Sequence, residues 1–310
     1  MDAKTRAVDL LPIILMGALF VVIDLLAFWV TGPFEAAGAV AFVNPEDPWN
    51  LVFFFSILFV FTAIILVIAK YGKKHLIQGI FLLATGVLAV YVFYPLLIMV
   101  LPELWTWVVS IALTCVLMVL LVKRPEWWVL DISGVLTGVG AIAMLGISLT
   151  ILIAIVLLAA MAIYDAISVY KTKHMIDLAD TLIDLKLPIL FVIPKTLDYS
   201  LIKETKGLKE KLKEGEKRDA FFMGIGDVVI PGILASAAYY YNFQGNGLAV
   251  ALSVLAGTLV GFALLMVFVI KGKPQAGLPF LCPGAILGYV ISNLVLFGGV
   301  TGILSVLFSV

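Results

Sequence analysis

Four carboxylates stand inside otherwise apolar stretches of this 310-residue chain: Asp24, Asp131, Asp165 and Asp227. Insertion scales charge an ionised side chain about 2.5–3.5 kcal/mol at the centre of a membrane helix, so an acid kept there points to catalysis, proton handling or ion binding. Depth separates the four. Asp165, in AMAIYDAISVYK, lies six residues before Lys171, about 9 Å inside that charged boundary at the rise of a helix. Asp227, in AFFMGIGDVVIPGIL, lies eight residues after Asp219, about 12 Å in by the same rise. Asp24 is eighteen residues past Arg6, which places it near the opposite face. Asp131 follows Trp127 and Trp128, residues that anchor at headgroup level, and reads as a wetted helix-end acid and the reserve candidate.

Two carboxylates within hydrogen-bonding distance cannot both ionise and so hold one proton between them. In that state the ionised acid activates water while the protonated one polarises a carbonyl, which is how a dyad hydrolyses an amide. The neighbours of Asp227 suit such a site. Gly224 and Gly226 would let another backbone approach closely. Pro231 has no N–H for the Asp227 carbonyl and should loosen the helix there. A paired intramembrane Asp serves an ion or proton-coupled transporter equally well, and depth and spacing alone leave both readings open.

The elements that must hold these acids follow from composition. With 63% hydrophobic and 13% charged residues, the chain lacks the charged surface of a soluble domain and reads as an all-α polytopic membrane protein. Apolar runs long enough to cross a bilayer occur at about 10–30, 51–69, 76–100, 104–122, 129–147, 149–170, 220–241, 247–270 and 278–298. The break between the fifth and sixth rests on GISLT. All twenty Lys and Arg fall in alternate connections, eleven of them between the sixth and seventh runs. Nine spans with a cytoplasmic amino terminus and an outer carboxyl terminus satisfy that pattern. The first run, with Lys4 and Arg6 ahead of it and AGA at 37–39, has features of a signal peptide, but its length past Asp24 favours a retained span. Cys115 and Cys282 sit in apolar runs and His75 and His174 beside lysines, so no metal site or other cofactor is expected.

Three regions result: 1–170 with six spans, a charged cytoplasmic connection over 171–219, and 220–310 with three spans. In the connection, Met175, Ile176, Leu178, Ala179, Leu182 and Ile183 form one stripe, the pattern of a helix lying on the membrane surface. Ile189 to Ile193, between Pro188 and Pro194, reads as a short edge strand, and the Lys- and Glu-rich 195–219 as mobile.

Tyr164–Asp165, the GIGD of Gly224 to Asp227 and QAGLPFL at Gln275 to Leu281 together resemble the three signature sites of the presenilin and signal peptide peptidase family of intramembrane aspartyl proteases. The stretch YDAISVYKTKHM and the compact length are similar to archaeal presenilin homologues, which implies an archaeal cell membrane. The resemblance covers spans six to nine; the first five match in number only. It implies Asp165 and Asp227 as the catalytic pair, Tyr164, Gly224, Gly226 and Pro231 as support, and single-span transmembrane peptides as substrates, with no nucleic acid and no cofactor. The family's third site is usually Pro-Ala-Leu; here Ala276, Gly277 and Leu278 stand there, followed by Pro279, and are implied to contact substrate. Prepilin-type peptidases share the G-x-G-D pattern but have fewer spans and lack the third site. A strand at 189–193 gives an unwound substrate an edge to pair with. Nothing in the sequence indicates an oligomeric state.

Overall fold

The computed structural model describes residues 3–72, 74–172, 187–196, 199–202, 220–241, 245–270 and 275–297. Nine helices and one two-stranded sheet are present among them. They run α1 (Ala3–Ala36), α2 (Trp49–Lys70), α3 (Lys74–Leu97), α4 (Glu103–Lys123), α5 (Trp127–Ser148), α6 (Ile151–Thr172), β1 (Leu190–Pro194), β2 (Ala220–Gly224), α7 (Ile225–Tyr241), α8 (Gly247–Ile270) and α9 (Leu278–Phe297). Eight helices are long and apolar enough to cross a membrane, and α7, at 17 residues, is the shorter ninth. The break at GISLT is real: α5 stops at Ser148, and α6 starts at Ile151 once the Thr150 N–H has donated to the Pro45 carbonyl. The amphipathic stripe at 175–183 lies outside the described residues.

Contacts divide the chain into two compact units. One comprises residues up to Met16, Val52–Gly138 and Lys173–Ile225. Within it, Leu117 and Leu121 of α4, Val129 and Leu130 of α5, Val192 of β1 and Ala220 of β2 form one buried apolar cluster. By contrast α2 buries almost nothing: Phe53 and Ile57 are 61% and 64% exposed. A helix apolar all round and uncovered by protein is covered by lipid.

The sheet in this unit corrects the seventh span. Residues 220–224 are not the start of a helix; AFFM, aromatic-rich and bounded by glycine, pairs antiparallel with β1, Phe191 opposite Met223 and Val192 opposite Phe222. The Ile225 N–H then closes the ladder on the Ile189 carbonyl. Asp227 therefore lies in the first turn of α7, not eight helical residues inside a boundary. Nor is β1 an open edge: Phe191, Val192 and Ile193 are buried, and the Val192 N–H donates to Asp131 Oδ1 at 2.7 Å. Asp131 is accordingly a bonded acid of α5 rather than a wetted helix end.

The second unit comprises Gly17–Leu51, Val139–Thr172 and Gly226–Val310. Its tightest joint is between α8 and α9. A Cβ on Gly257 would collide with the Gly284 carbonyl, one on Gly261 with the Phe280 carbonyl and one on Gly288 with the Ser253 carbonyl. Glycines four residues apart on both helices thus bring backbone onto backbone, the usual way to associate helices where lipid offers no hydrophobic drive. Helix α9 also packs on α6. Asp24 is not near an outer face. It sits mid-way along the 34-residue α1, 2% exposed, with its Oδ1 against Gly232 of α7 and no hydrogen-bond partner for that oxygen.

Candidate active site

Asp165, Asp227 and the turn at Gly277 meet inside the second unit. Asp165 lies two turns before the end of α6, an apolar helix without interruption. Asp227 lies in the first turn of α7. Between them runs the backbone that leads into α9. Gln275 and Ala276 precede a bend at Gly277, and the helix begins at Leu278, with Pro279 inside its first turn, where the missing N–H costs nothing. Ala276 and Leu278 are buried and carry this turn into the interior.

Both carboxylates close on the same dipeptide. Asp165 Oδ2 accepts the Leu278 N–H at 3.1 Å, one of the helix-initial donors that have no acceptor within α9. On the other acid, the Asp227 carboxylate oxygens lie 2.8 Å and 3.0 Å from the point where a Cβ on Gly277 would be. A side chain at 277 would press on Asp227, so glycine there is what lets the acid reach the backbone. The two acids are near enough for their charges to interact, and both are half-buried. A second hydrogen bond ties the turn to the Asp165 helix: the Tyr170 hydroxyl donates to Gln275 Oε1 at 2.6 Å.

The supporting residues divide. Pro231 is buried within α7, which continues through it; having no N–H, it leaves the Asp227 carbonyl without its partner in the helix. Gly224 is the last residue of β2, opposite Leu190, and works as strand end rather than helix contact. At Gly226 the expected close approach is missing, since among the described residues nothing lies within 4 Å of the position a Cβ would take; beside the two acids it is Gly232 and Gly277 that are tightly approached. Tyr164 precedes Asp165 on α6, its carbonyl accepting the Ser168 hydroxyl at 2.9 Å. Sequence reasoning missed the Tyr170–Gln275 bond, for which spacing gave no signal. It also missed β2, whose AFFM run could have announced a strand.

Two carboxylates from different helices thus face one backbone turn in the interior, with a backbone N–H on one acid and bare backbone against the other. Among the described residues no cluster of metal-ligating side chains occurs.

The comparisons agree with the resemblance of the motifs. Residues 17–300 match the family model for signal-peptide peptidase, presenilin aspartyl protease. Two solved structures of a presenilin family intramembrane aspartate protease, in C222 and P2 space groups, are similar in fold. The first is 31% identical with a TM-score of 0.68, covering 92% of this chain and 99% of that one. The second is 30% identical with a TM-score of 0.62, covering 90% and 96%. No curated protein matches the chain. With motifs, fold and matched length in agreement, the chain belongs to the signal peptide peptidase and presenilin family and is an intramembrane aspartyl protease.

Proposed function

We propose that Asp165 and Asp227 are the catalytic pair of this protease and that it cuts single-span transmembrane peptides inside the bilayer. The observation that carries the reading is the convergence of both carboxylates on the Gly277–Leu278 backbone. Asp165, whose Oδ2 accepts the Leu278 N–H, is assigned as the carboxylate that takes a proton from water as that water attacks the scissile carbonyl. Asp227 holds the shared proton and gives it to the carbonyl oxygen. The tetrahedral diol then collapses: the C–N bond breaks, the nitrogen takes the proton now on Asp165, one diol hydroxyl returns its proton to Asp227, and a carboxylic acid and an amine leave. Ala276, Gly277, Leu278 and Pro279 supply the wall against which the substrate backbone is held. Tyr164 and Pro231 support the two acids from their own helices.

A transmembrane substrate must unwind first, because its peptide carbonyls are tied up in helical hydrogen bonds. Strand addition answers this, but on β2 rather than on 189–193. The Val192 N–H is already spent on Asp131, and β1 is buried. In an antiparallel ladder bonded at Ile189–Ile225, Phe222 and Gly224 turn their N–H and carbonyl groups away from β1. Gly224, the last residue of β2, is three residues before Asp227 in the sequence.

Membership of the family leaves the transporter and prepilin-peptidase readings without support. The placement of Lys and Arg argues for a cytoplasmic amino terminus and a cut near the cytoplasmic side, and the YDAISVYKTKHM stretch for an archaeal membrane. The test uses the purified protein and a synthetic single-span peptide. Hydrolysis that disappears in both Asp165→Ala and Asp227→Ala is the expected result, and hydrolysis that survives either replacement refutes the pair.

A further inference from the structure

Helix α5 begins with a set of contacts that the chemistry above does not use. Glu126, just ahead of it, accepts the Ser200 hydroxyl at 2.7 Å on Oε1 and the Leu201 N–H at 3.0 Å on Oε2. Asp131 accepts the Val192 N–H at 2.7 Å. Gly134, three residues on and on the same helix face, receives the Phe191 ring, whose Cε1 lies 2.7 Å from where a Cβ would be. The start of α5 is thus a backboard on which β1 and the chain after it are hung.

Asp131 holds the central point of that backboard. β1 is buried on both faces, and a buried N–H needs an acceptor. A carboxylate supplies a short, charge-assisted one. It also closes the outer edge of β1, which would otherwise offer a second row of donors to any extended chain. With that edge closed, a peptide can add only to β2. Because side chains alternate along a strand, a slip of one residue turns every one of them over. Whatever fixes β1 therefore fixes β2, its partner, and the bond that an added peptide presents.

We propose that Asp131 is a positioning residue for cleavage: by accepting the Val192 N–H it holds the β1–β2 sheet in one register against α5 and so sets which substrate bond is cut. The inference rests on the strand-addition reading above.

The experiment maps the products of a synthetic single-span Leu/Val peptide by mass spectrometry, with the full-length protein in detergent and thermal unfolding followed alongside. Asp131→Ala is expected to spread cleavage over neighbouring bonds and to lower kcat/KM by about tenfold, roughly the effect of leaving one buried donor unmet. Asp131→Asn, which still offers an acceptor oxygen, keeps the wild-type bonds and rate. Gly134→Ala, which displaces Phe191 without touching the acid, broadens the cleavage pattern as Asp131→Ala does. A merely structural role lowers the unfolding temperature and the active fraction but leaves the choice of bond alone, and that result overturns the proposal. So does an Asn variant as impaired as the Ala variant. Phe222→Pro removes a donor that faces away from β1 together with a ring that packs on the buried cluster, so it is read against Phe222→Ala, which loses the ring alone, and the difference separates the two readings. If the Pro variant impairs cleavage beyond the Ala variant while Asp131→Ala cuts normally, strand addition stands and this inference falls; if Phe222→Pro cuts no worse than Phe222→Ala, both fall.

Discussion

The two acids are held in opposite ways. Asp165 lies two turns inside a 22-residue helix that runs without a break, with a backbone N–H fixed on one oxygen. Asp227 stands at a joint: a strand ends three residues before it, a short helix starts two residues before it, and Pro231 withholds the amide its carbonyl would meet. One acid belongs to a post and the other to a hinge. The difference teaches that the geometry of the pair is set less by the helix of Asp227 than by what that acid rests against, the bare backbone of Gly277.

Removal of either acid tests the pair itself. Asp165→Ala and Asp227→Ala should each bring peptide hydrolysis below about one-thousandth of wild type, because a dyad missing a member cannot both activate water and protonate the oxygen. The next test loads the joint. Gly277→Val should lower kcat by about a hundredfold, since a Cβ there meets Asp227 at 2.8 Å and small misplacements of a reacting group cost that much. Gly277→Ala, which restores the family's usual residue, should still cost about tenfold in this chain for the same reason. A larger loss in KM than in kcat would show that position 277 serves binding and not the acid. Stiffening the hinge is gentler: Pro231→Ala returns an N–H to the Asp227 carbonyl and should reduce kcat by about threefold without loss of thermal stability. Tyr170→Phe removes the tie from α6 to Gln275. It should cost about 0.5 kcal/mol or slightly more in thermal unfolding and less than about threefold in rate, because that bond is exposed.

Much of this was legible in the chain. Nine helices could be read because apolar length and the side on which Lys and Arg fall are independent signals that agree. The four acids could be read because an ionisable group is costly in lipid and has to be accounted for, while the choice of Asp165 and Asp227 among them came from the resemblance of their motifs. Other features were hidden by the same apolar character that revealed the helices. AFFM at 220–223 is as hydrophobic as the helix it precedes, so hydropathy runs strand and helix together, and the helical rise used to place Asp227 does not apply to residues 220–224. Asp24 was placed by counting residues from Arg6, but α1 runs twelve residues beyond it, to Ala36, which returns that acid to the middle of the helix. Asp131 looked wetted because its partner, the Val192 N–H, is 61 residues away in the chain, and no local pattern announces a bond of that range. Gly226 looked like a close-packing glycine because GIGD is compact. Which glycine lets another segment approach depends on the facing element, and Gly232 and Gly277 have neighbours where Gly226 has none.

The glycine-to-carbonyl seam between α8 and α9 has a mechanical consequence. Rigid main chain seated against rigid main chain leaves no soft side chains to absorb a sliding motion, so these two helices travel as a single piece. The turn at Gly277 is bolted to that piece, and it behaves as an anvil.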